Sequence, residues 1–521
     1  MTESDLPVVH LTPGRWGDPA HPVELPGAAL DALKHLGVRR PAAAPADPVD
    51  RPGLTAEQLG FLTEVIGAEH VRTDLETRWG HTRGYSTPDL LRHRAGDTSD
   101  MPDAVVYPGS HDEVAALLAA CSSHQLAVVP YSGGTSVVGG LAADRRFITV
   151  DLRRLDQLVA IDEISRTATL QAGVRGPAAE ALLAERGYTL GHFPQSYEGA
   201  SIGGYAAARS SGQSSAGYGR FDQMVVGLTL ATPRGTIELG RAPMSAAGPD
   251  LRQLVLGSEG AFGIITSVVV RIRPRPAERH FEGWRFPDFA AGVAAIRRLA
   301  QDGPLPTVLR LSDEAETAVN LADPDVLGGG FGGVLAIVGF DGPYNPKTAE
   351  VLTAAGGQNL GEGPGEMWRV GRYRAPYLRD PLLDEGALVE TLETAAFWSR
   401  LPALKAAVTE ALVKELTGLG TPPLVLCHVS HVYETGASLY FTVICAQTDN
   451  PVAQWRTAKV AANQAIATAG GTISHHHGIG TDHRAAYAEE IGPLAVEALQ
   501  AVKKVLDPDG VMNPGILLTS S

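Results

Sequence analysis

The sequence predicts an α+β protein with more than one domain. Its 521 residues exceed what a single hydrophobic core usually supports. From Pro102 onward, short apolar runs of strand length alternate with amphipathic stretches of helix length. The 59 glycines and 36 prolines supply many turns between these elements. The pattern divides the chain into a helical N-terminal region (1–100), a strand-rich domain (101–279), a second α+β domain (280–455) and a C-terminal segment (456–521).

Composition excludes several classes of partner. The formal net charge is −15, whereas a nucleic-acid-binding protein needs a basic face. Cys121, Cys427 and Cys445 form no CxxC pair and lie in or beside apolar runs, which indicates buried thiols in a reducing, cytoplasmic compartment. The first residues are acidic and no apolar run reaches 18 residues, so we expect neither a secretory signal nor a membrane span. Peripheral contact with a membrane stays compatible with the sequence.

The N-terminal region is predicted to be mostly helical. Residues 28–36 and 55–66 have helical patterns, and the Pro/Ala-rich residues 39–52 have the composition of a linker. Residues 72–95 contain several arginines and histidines. Either these side chains form a solvated helical face, or Arg78, His81 or Arg83 reaches an anionic group.

A β-α-β unit leads to the first glycine-rich loop. Residues 104–107 and 126–130 are short apolar strands, and residues 110–124 form an amphipathic helix with two acids in its first turn. The following loop, Pro130–Gly140, combines glycines with Ser and Thr hydroxyls, which lets backbone amides crowd an anion. It has neither the Lys of a phosphate-binding P-loop nor a GxGxxG pattern, so it does not indicate nucleotide hydrolysis or a Rossmann fold.

Two later stretches also combine small and polar residues with few charges. The first runs from His192 through Gly204 to Gly212, and the second from Leu254 to Ile265. Because a solvated loop would carry more charge, we expect the backbone of the first stretch to pack against a ligand. Around them the pattern predicts strands at 147–151, 159–162, 167–173 and 268–272, a helix at 176–186, and a hairpin of 225–231 with 236–239.

The chain after Pro274-Arg275-Pro276 alternates between helices and strands. The predicted helices are 289–300, 347–355, 402–417, 452–468 and 485–506, and the predicted strands are 308–311, 333–340, 424–429 and 438–446. Residues 323–333 form a glycine-rich insert, which we interpret as a candidate lid.

Three adjacent histidines, His475, His476 and His477, lie between glycine-containing turns near the C-terminus. Three neighbouring imidazoles cannot all point into one apolar core, and each needs a hydrogen-bond partner, a proton or a metal. The alternatives are a solvated turn or an expression tag. A tag is disfavoured because the run is internal and ends in the turn Gly478-Ile479-Gly480. The three histidines are therefore candidate functional residues.

The ordered glycine loops resemble the FAD domain of the vanillyl-alcohol oxidase type of flavoprotein. The resemblance rests on Gly133–Ser136 after a strand, Ser201–Gly204 and Gly257–Gly260, and it covers residues 102–276. It implies a two-part PCMH-type FAD-binding domain at 101–279 and an α+β substrate cap at 280–455. No histidine occurs in Ser132–Ser136, so it implies FAD bound without a covalent link. The residues implied for FAD binding are Pro130, Tyr131, Ser132, Gly133, Gly134, Thr135, Ser136, Pro194, Gln195, Ser196, Tyr197, Glu198, Gly199, Ala200, Ser201, Ala208, Arg209, Ser210, Ser211, Glu259, Gly260, Ala261, Phe262, Gly263, Ile264 and Ile265.

Further motifs resemble the alkyldihydroxyacetonephosphate synthase family. They are His475–Gly478, Leu309–Asp313, Ala375–Asp380 and Tyr433–Phe441. D-2-hydroxyacid dehydrogenases instead carry Glu-His-Gly-Ile-Gly, and His476 stands where that Glu would fall. The resemblance implies exchange of the acyl group of acyl-dihydroxyacetone phosphate for a fatty alcohol, in ether lipid synthesis, without net electron transfer. In that family flavin N5 is thought to form an adduct with C1 of the substrate, so that FAD acts as an electrophilic anchor.

Roles of single residues follow from the same resemblance. Tyr440 would be the acid/base at C1, assisted by the three histidines because a phenol has a pKa of about 10. Arg379 would hold the substrate's carboxylate or phosphate by a bidentate contact, and Arg310 would support the flavin side of the site. On pattern alone, Tyr440 is typical of a core residue in an apolar strand, and Arg379 beside Asp380 is typical of a surface ion pair.

Two other functions stay open at this stage. One is an FAD-dependent oxidoreductase acting on a D-2-hydroxyacid or alcohol, in which the histidines could bind zinc. The other is a non-enzymatic flavin-binding protein.

For the synthase-like function we expect no metal, a lipid-like small-molecule substrate and a homodimer. Residues 198–201 depart from the Glu-Phe-Ser-Thr of eukaryotic members, so some flavin contacts are expected to differ.

Overall fold

A computed structural model of the chain describes residues 6–18, 20–41, 46–51, 53–320 and 332–519. The candidate lid at residues 323–333 lies almost entirely outside these ranges. Within them, every helix is too short or too polar to cross a lipid bilayer. The predicted α+β fold class is confirmed, with helices packed on three main β-sheets.

Helices are the main regular structure of the N-terminal region. Its helices are α1 (Gly27–His35), α2 (Ala56–Ile66), α3 (Leu75–Gly80) and α4 (Thr87–Arg94). The first turn of α2 is fixed by a capping box, in which Thr55 and Gln58 each bond the other's backbone. A short strand, β1 (Val71–Arg72), pairs with the next domain.

The arginines and the histidine singled out in this region are internal structural residues. Their side chains are buried rather than solvated, which corrects the first interpretation. The anionic groups that they reach are carboxylates of the chain itself. The pairs are Arg78 with Asp50 at 2.7 Å, His81 with Asp151 at 2.9 Å, and Arg83 with Asp100 at 3.0 Å.

Most strands of two sheets lie within residues 101–279, the predicted FAD-binding domain. The strands of the first are β2 (Val105–Val106), β3 (Ala127–Tyr131) and β4 (Phe147–Asp151), which run parallel in the order β1-β2-β4-β3 with β1 antiparallel at the edge. A short pair is formed by β7 (Tyr188–Thr189) and β11 (Arg273–Pro274). The second sheet is antiparallel, in the order β5-β6-β10-β8-β9, with strands β5 (Leu158–Asp162), β6 (Thr167–Gln171), β8 (Val225–Thr232), β9 (Gly235–Leu239) and β10 (Ile264–Arg271).

Helices cover these two sheets and connect them. They are α5 (His111–Ser123), α6 (Gly176–Ala184), α7 (Ile202–Ala208), α8 (Ser215–Tyr218), α9 (Phe221–Met224) and α10 (Arg252–Val255). The predicted β-α-β unit is present as β2, α5 and β3. Because β3 ends at Tyr131, the first glycine-rich loop begins at the carboxyl end of a parallel strand.

One antiparallel sheet of seven strands spans residues 279–446, in the order β15-β12-β14-β13-β17-β18-β16. Its strands are β12 (Arg279–Phe286), β13 (Val308–Ser312), β14 (Val334–Asp341), β15 (Gln358–Gly361), β16 (Ala387–Phe397), β17 (Leu424–Val432) and β18 (Gly436–Ala446). The accompanying helices are α11 (Phe289–Asp302), α12 (Glu314–Asn320), α13 (Pro346–Ala354), α14 (Glu362–Gly371), α15 (Ala375–Asp384) and α16 (Leu401–Gly418).

The sequence did not predict β16, although it is one of the longest strands. Glu390 and Glu393 interrupt its apolar run, and both carboxylates are nevertheless buried. A buried carboxylate requires hydrogen-bond donors that only the tertiary structure supplies.

The C-terminal segment contains three helices in place of the two predicted. They are α17 (Pro451–Ala469), α18 (Arg484–Ile491) and α19 (Pro493–Leu506). The predicted helix 485–506 is broken at Gly492, which has a φ of +79° and precedes a proline. Beyond α19 the chain returns to β3, where the Val128 N–H donates to the Val511 carbonyl and the Asn513 N–H donates to the Val128 carbonyl, both at 2.8 Å.

Candidate active site

A large cavity lies between the glycine loops and the seven-stranded sheet. This main cavity has a volume of about 620 Å³. The loops at 130–136, 194–201 and 259–265 line one side, and side chains of β13, β17 and β18 line the other. Residues from both predicted domains therefore face one common space.

The structure brings most of the predicted site residues to this cavity. Of the side chains given catalytic or substrate-binding roles, Arg310, Arg379, Tyr440, His476 and His477 line it. The predicted FAD-binding residues that line it are Pro130, Tyr131, Ser132, Gly133, Gly134, Thr135, Ser136, Pro194, Gln195, Ser196, Ala200, Ser201, Ala208, Ser210, Ser211, Glu259, Gly260, Gly263, Ile264 and Ile265.

A smaller group of predicted residues lies elsewhere. Tyr197 is buried against Tyr373, and the Glu198 carboxylate accepts a hydrogen bond from the Tyr377 hydroxyl. Gly199 packs beside Leu11. The others are Ala261, in a small apolar cluster, and Arg209, Phe262 and His475, which line a second cavity.

Tyr440 lies in the middle of a row of polar residues that crosses three strands. On β18 it is paired with His428 of β17 and with Glu393 of β16. Its ring stacks on the His428 imidazole with the centroids 5.0 Å apart. Burial raises the pKa of Tyr440 to about 12. At pH 7 this side chain is therefore a neutral phenol facing the main cavity.

Arg310 is fixed by a buried acid and a histidine. Its guanidinium donates to Glu316 at 3.0 Å, and His428 Nδ1 lies 2.9 Å from the same carboxylate oxygen. Burial opposes ionisation of Glu316, but His428 and Arg310 hold its pKa at about 2. Arg310 thus presents a charged, immobilised guanidinium to the cavity.

Arg379 is not part of a surface pair with Asp380. The Asp380 carboxylate turns the other way and accepts hydrogen bonds from the backbone N–H groups of Trp16 and Gly17 at 3.0 and 2.9 Å. Arg379 is 11% exposed and its Nη1 lies 4.0 Å from the buried Glu390 carboxylate. Within the described ranges, Arg379 Nε has no hydrogen-bond partner, so the side chain retains donors for a ligand.

One buried carboxylate holds the histidine loop in place. Glu393 accepts hydrogen bonds from the backbone N–H groups of His475, His476 and His477 at 2.6, 3.0 and 2.9 Å, and from the Ser474 hydroxyl at 2.8 Å. Burial alone would raise the pKa of Glu393, but the histidine cluster and these N–H donors keep it well below its usual range. The loop is therefore wrapped around an ionised carboxylate.

A second buried carboxylate, Glu259, holds the turn that follows. It accepts hydrogen bonds from the Ile479 N–H at 2.7 Å and the Gly480 N–H at 3.1 Å. A Cβ at Gly480, where φ is +50°, would lie 1.9 Å from the Val138 carbonyl oxygen. Glycine is required there, and the close approach joins the histidine loop to the first glycine loop.

The imidazoles of the loop contact one another; that of His475 is buried, and those of His476 and His477 are partly buried. Burial lowers the pKa of His475 and His476, and that of His477 to about 3, so all three are neutral at pH 7. One nitrogen each of His431, His475 and His476 lie within 4.8 Å of one another. The rings of His431 and His475 are stacked at 23°, and His475 Nδ1 lies 3.0 Å from His476 Nδ1, within hydrogen-bond distance.

The glycine loops fit a flat, anionic cofactor. A Cβ at Gly133 would lie 2.6 Å from the Gly199 carbonyl oxygen, so only glycine allows the two loops to approach. Ser132 faces the main cavity with a buried hydroxyl that bonds no other group in the described part of the chain. A buried hydroxyl without a partner is costly, and a phosphate oxygen of FAD would satisfy it.

Sequence reasoning missed several residues of this site. They are Glu316, Glu393, His428, His431 and Tyr433, which bond the predicted residues or share their cavity. The available signal was the pair of histidines in the otherwise apolar strand β17, since a polar side chain there needs a partner. Nothing in the sequence pattern pointed to β16 as the source of a carboxylate.

Comparisons with known proteins agree with this architecture. A family model for an FAD binding domain matches residues 102–240, and one for the C-terminal domain of FAD linked oxidases matches residues 275–517. The alkyldihydroxyacetonephosphate synthase of Dictyostelium discoideum is 32% identical over 500 residues, covering 90% of this chain and 82% of that protein. The corresponding protein of Trypanosoma brucei brucei is 33% identical, with coverages of 90% and 84%.

A solved alkyldihydroxyacetonephosphate synthase structure superposes with a TM-score of 0.81 at 27% identity, covering 97% of this chain and 98% of that one. The agreement thus extends through both predicted domains and the C-terminal segment. The glycine loops, the seven-stranded sheet and the histidine loop are parts of one shared architecture, and the chain belongs to the alkyldihydroxyacetonephosphate synthase family of vanillyl-alcohol oxidase type flavoproteins.

Proposed function

We propose that this protein is an FAD-dependent enzyme that exchanges the acyl group of acyl-dihydroxyacetone phosphate for a fatty alcohol. One observation carries the proposal: Tyr440, Arg310, Arg379 and two histidines of the loop line the same cavity as the glycine loops. These are the residues that the family motifs identify, and they come from separate parts of the chain. Membership of the synthase family supports the same reaction.

FAD would be held by the loops at 130–136, 194–201 and 259–265. When bound, it would supply an electrophilic centre for the substrate carbon C1. The first loop contains no histidine to which flavin could be attached, which supports non-covalent binding. Ser132 and the backbone amides of Gly133 and Gly134 would bind the phosphates.

Tyr440 would act as acid and base at C1. Its pKa of about 12 makes the phenol a proton donor at pH 7, whereas removing a proton from C1 requires help from a nearby base. Neutral imidazoles are such bases, and the rings of His476 and His477 lie 6.1 and 5.6 Å from the Tyr440 ring, centroid to centroid. All three line the main cavity, where the lipid chains of the bound substrate would exclude water from the reacting carbon.

Arg379 would bind the phosphate of the substrate. Its guanidinium keeps an unused Nε donor, and the Glu390 carboxylate at 4.0 Å orients it without a close ion pair. Arg310, tied to Glu316 and His428, would fix a second polar group of the ligand. The two guanidiniums place positive charge at the polar end of the main cavity.

The other side of the cavity suits a lipid-like chain. Val308, Leu335, Ile337 and Trp368 line it with apolar surface. Met367 on α14 also lines the cavity and is half exposed at the surface, which supports peripheral contact with a membrane. The homodimer and the cytoplasmic location stay predictions from the sequence.

An anaerobic absorbance titration tests the proposal. Palmitoyl-dihydroxyacetone phosphate should bleach the flavin without giving an oxidised product, and hexadecanol should restore the absorbance and yield the alkyl ether. Tyr440→Phe should keep the bound flavin but lower the exchange rate by at least about 100-fold, because it removes the acid/base group.

A different outcome would point to the second candidate function. The match to the FAD linked oxidase model favours an oxidoreductase of a D-2-hydroxyacid or alcohol as that candidate. Lasting flavin reduction by a D-2-hydroxyacid, reversed by oxygen or a dye, would assign this chemistry. Wild-type exchange by Tyr440→Phe would contradict the synthase assignment.

A further inference from the structure

The histidine loop forms part of the wall between the main cavity and a second one. The second cavity has a volume of about 670 Å³ and is lined by Tyr433, His475 and His476. Its rim includes the exposed Gln253, so it opens at the protein surface. His476 also lines the main cavity. The His476 imidazole thus borders both the proposed reaction chamber and a space that solvent can enter.

A continuous row of hydrogen bonds crosses this wall. The Tyr433 hydroxyl lies 2.6 Å from His475 Nε2, and His475 Nδ1 lies 3.0 Å from His476 Nδ1. A neutral imidazole has one N–H donor and one acceptor nitrogen, so one histidine must donate to the other. Such a row can pass a proton from end to end while each ring stays neutral before and after the transfer.

The inner end of the row reaches the proposed acid/base. The His476 ring lies almost parallel to the Tyr440 ring, at 20° and 6.1 Å between centroids. Both side chains line the main cavity, so a bound hydroxyl or a water molecule can bridge them there. The outer end is the Tyr433 hydroxyl, which faces the second cavity.

The proposed reaction needs such a path. Exchange of an ester's acyl group for the alkyl group of an alcohol gives an ether and a carboxylic acid, whose pKa of about 4 means that it loses its proton at pH 7. One proton per turnover must therefore leave a cavity that the two lipid chains fill. No electrons are gained or lost in this step.

We propose that His476, His475 and Tyr433 conduct this proton from the Tyr440 side of the site to the second cavity. His476 accepts it on one ring nitrogen and passes the proton on Nδ1 to His475. His475 passes its Nε2 proton to Tyr433, and Tyr433 releases its hydroxyl proton to water. The inference rests on the proposed function, because that function sets the need for a proton exit.

The imidazoles of the row do not store a proton. Burial lowers the pKa of both His475 and His476; the Glu393 carboxylate opposes this shift, and the positive charge of Arg220, which lines the second cavity, adds to it. A proton therefore does not rest on either imidazole at pH 7. Ser211 and Ser215, which bond Nδ1 of the neighbouring His431, orient that ring without interrupting the row.

Steady-state kinetics of Tyr433→Phe test the relay. The hydroxyl is the last group before solvent, so we expect kcat to fall by about 10-fold while KM for palmitoyl-dihydroxyacetone phosphate stays unchanged. Imidazole buffer at increasing concentration should restore kcat, since a small base can enter the second cavity. The solvent deuterium isotope effect on kcat should rise in the variant and fall again with imidazole. Tyr218→Phe, which loses a hydroxyl bonded to Asp341 at 2.9 Å, should behave as wild type.

Several results would overturn the relay. One is an unchanged kcat in Tyr433→Phe, and another is a lower kcat that imidazole does not restore. A third is a stoichiometric metal ion that is present in the purified wild-type holoenzyme and stays bound in Tyr433→Phe. An inactive wild type would contradict the proposed function instead. In that case the ¹⁵N resonances of His475 and His476 in wild type and Tyr433→Phe test the relay separately. If the three side chains form one hydrogen-bonded row, removing the Tyr433 hydroxyl must shift the tautomers of both histidines; unchanged resonances would overturn the relay.

Discussion

Glu393 shows how one residue can set the geometry of a whole site. Its carboxylate accepts four hydrogen bonds from the histidine loop, and it is fully buried beneath Tyr440. A carboxylate can accept on all sides, whereas an amide brings two N–H donors that would face the N–H groups of the loop. The position of the histidines therefore depends on the charge of a residue that does not itself reach the substrate.

Glu393→Gln should reduce both activity and stability. We expect kcat to fall by about 100-fold through displacement of the histidines, and the free energy of unfolding to fall by about 3 kcal/mol because buried N–H groups lose their acceptor. Urea unfolding and turnover assays measure the two effects. Glu180→Gln is the matched control, since that buried acid also accepts from two backbone N–H groups. It should cost similar stability and leave kcat intact. Wild-type kcat in Glu393→Gln would show that the loop does not need the charge.

At the scale of elements, the histidine loop is held by contacts with two different domains. Thr472 pairs with Ala395 at the end of β16, and the turn at Gly480 presses against Val138 after the first glycine loop. The Asn513 amide also donates to the Gly140 carbonyl at 3.2 Å and the Glu259 carbonyl at 2.6 Å. The loop is thus a joint between the FAD-binding domain and the cap.

Gly480→Ala should weaken this joint. The new Cβ would lie 1.9 Å from a backbone oxygen at a φ of +50°, so we expect a loss of about 3 kcal/mol in the free energy of unfolding and weaker FAD retention. Gly492→Ala is the control, because Gly492 has a φ of +79° and a Cβ added there would meet no described atom within 4 Å. It should cost only about 1 kcal/mol. Equal losses in thermal or urea unfolding would mean that the close approach to Val138 is not tight.

At the scale of the whole molecule, the contact between domains makes stability depend on pH. Burial raises the pKa of Glu259 to about 7 in the folded protein, although two backbone N–H groups oppose the shift. The unfolded chain has the usual value of about 4.3. Between these two values the folded state holds more protons than the unfolded state, so stability falls as the pH rises from about 4.3 to 7.

Glu259→Gln should remove this part of the pH dependence. In the wild type the effect of Glu259 amounts to about 4 kcal/mol across the window. We therefore expect the difference in unfolding free energy between wild type and variant to change with pH between about 4.3 and 7 and to level off above it. Urea unfolding of the FAD-free protein at several pH values measures it. A constant difference across the window would contradict a raised pKa for Glu259.

The sequence was sufficient to predict much of the fold and many of the residues that line the main cavity. Glycine loops, strand periodicity and the histidine run are local patterns, and they predicted most of the elements and most of the residues around the main cavity. Predictions failed where long-range contacts override local preference. The break at Gly492 and the buried acids of β16 are examples, because the partners of those residues lie far away in the chain.

By itself the sequence determined the α+β class and the order of the glycine loops, because spacing and residue type do not depend on distant contacts. The candidate Tyr440 followed from the resemblance to a flavoprotein family, since its pattern alone is typical of a core residue. Only the tertiary structure decided which polar residues are internal ion pairs, as for Arg78 and His81, and which line the main cavity, as for Arg379. It alone revealed Glu393 beneath the histidines and the row that ends at Tyr433, because burial and hydrogen-bond partners arise only when separate strands come together.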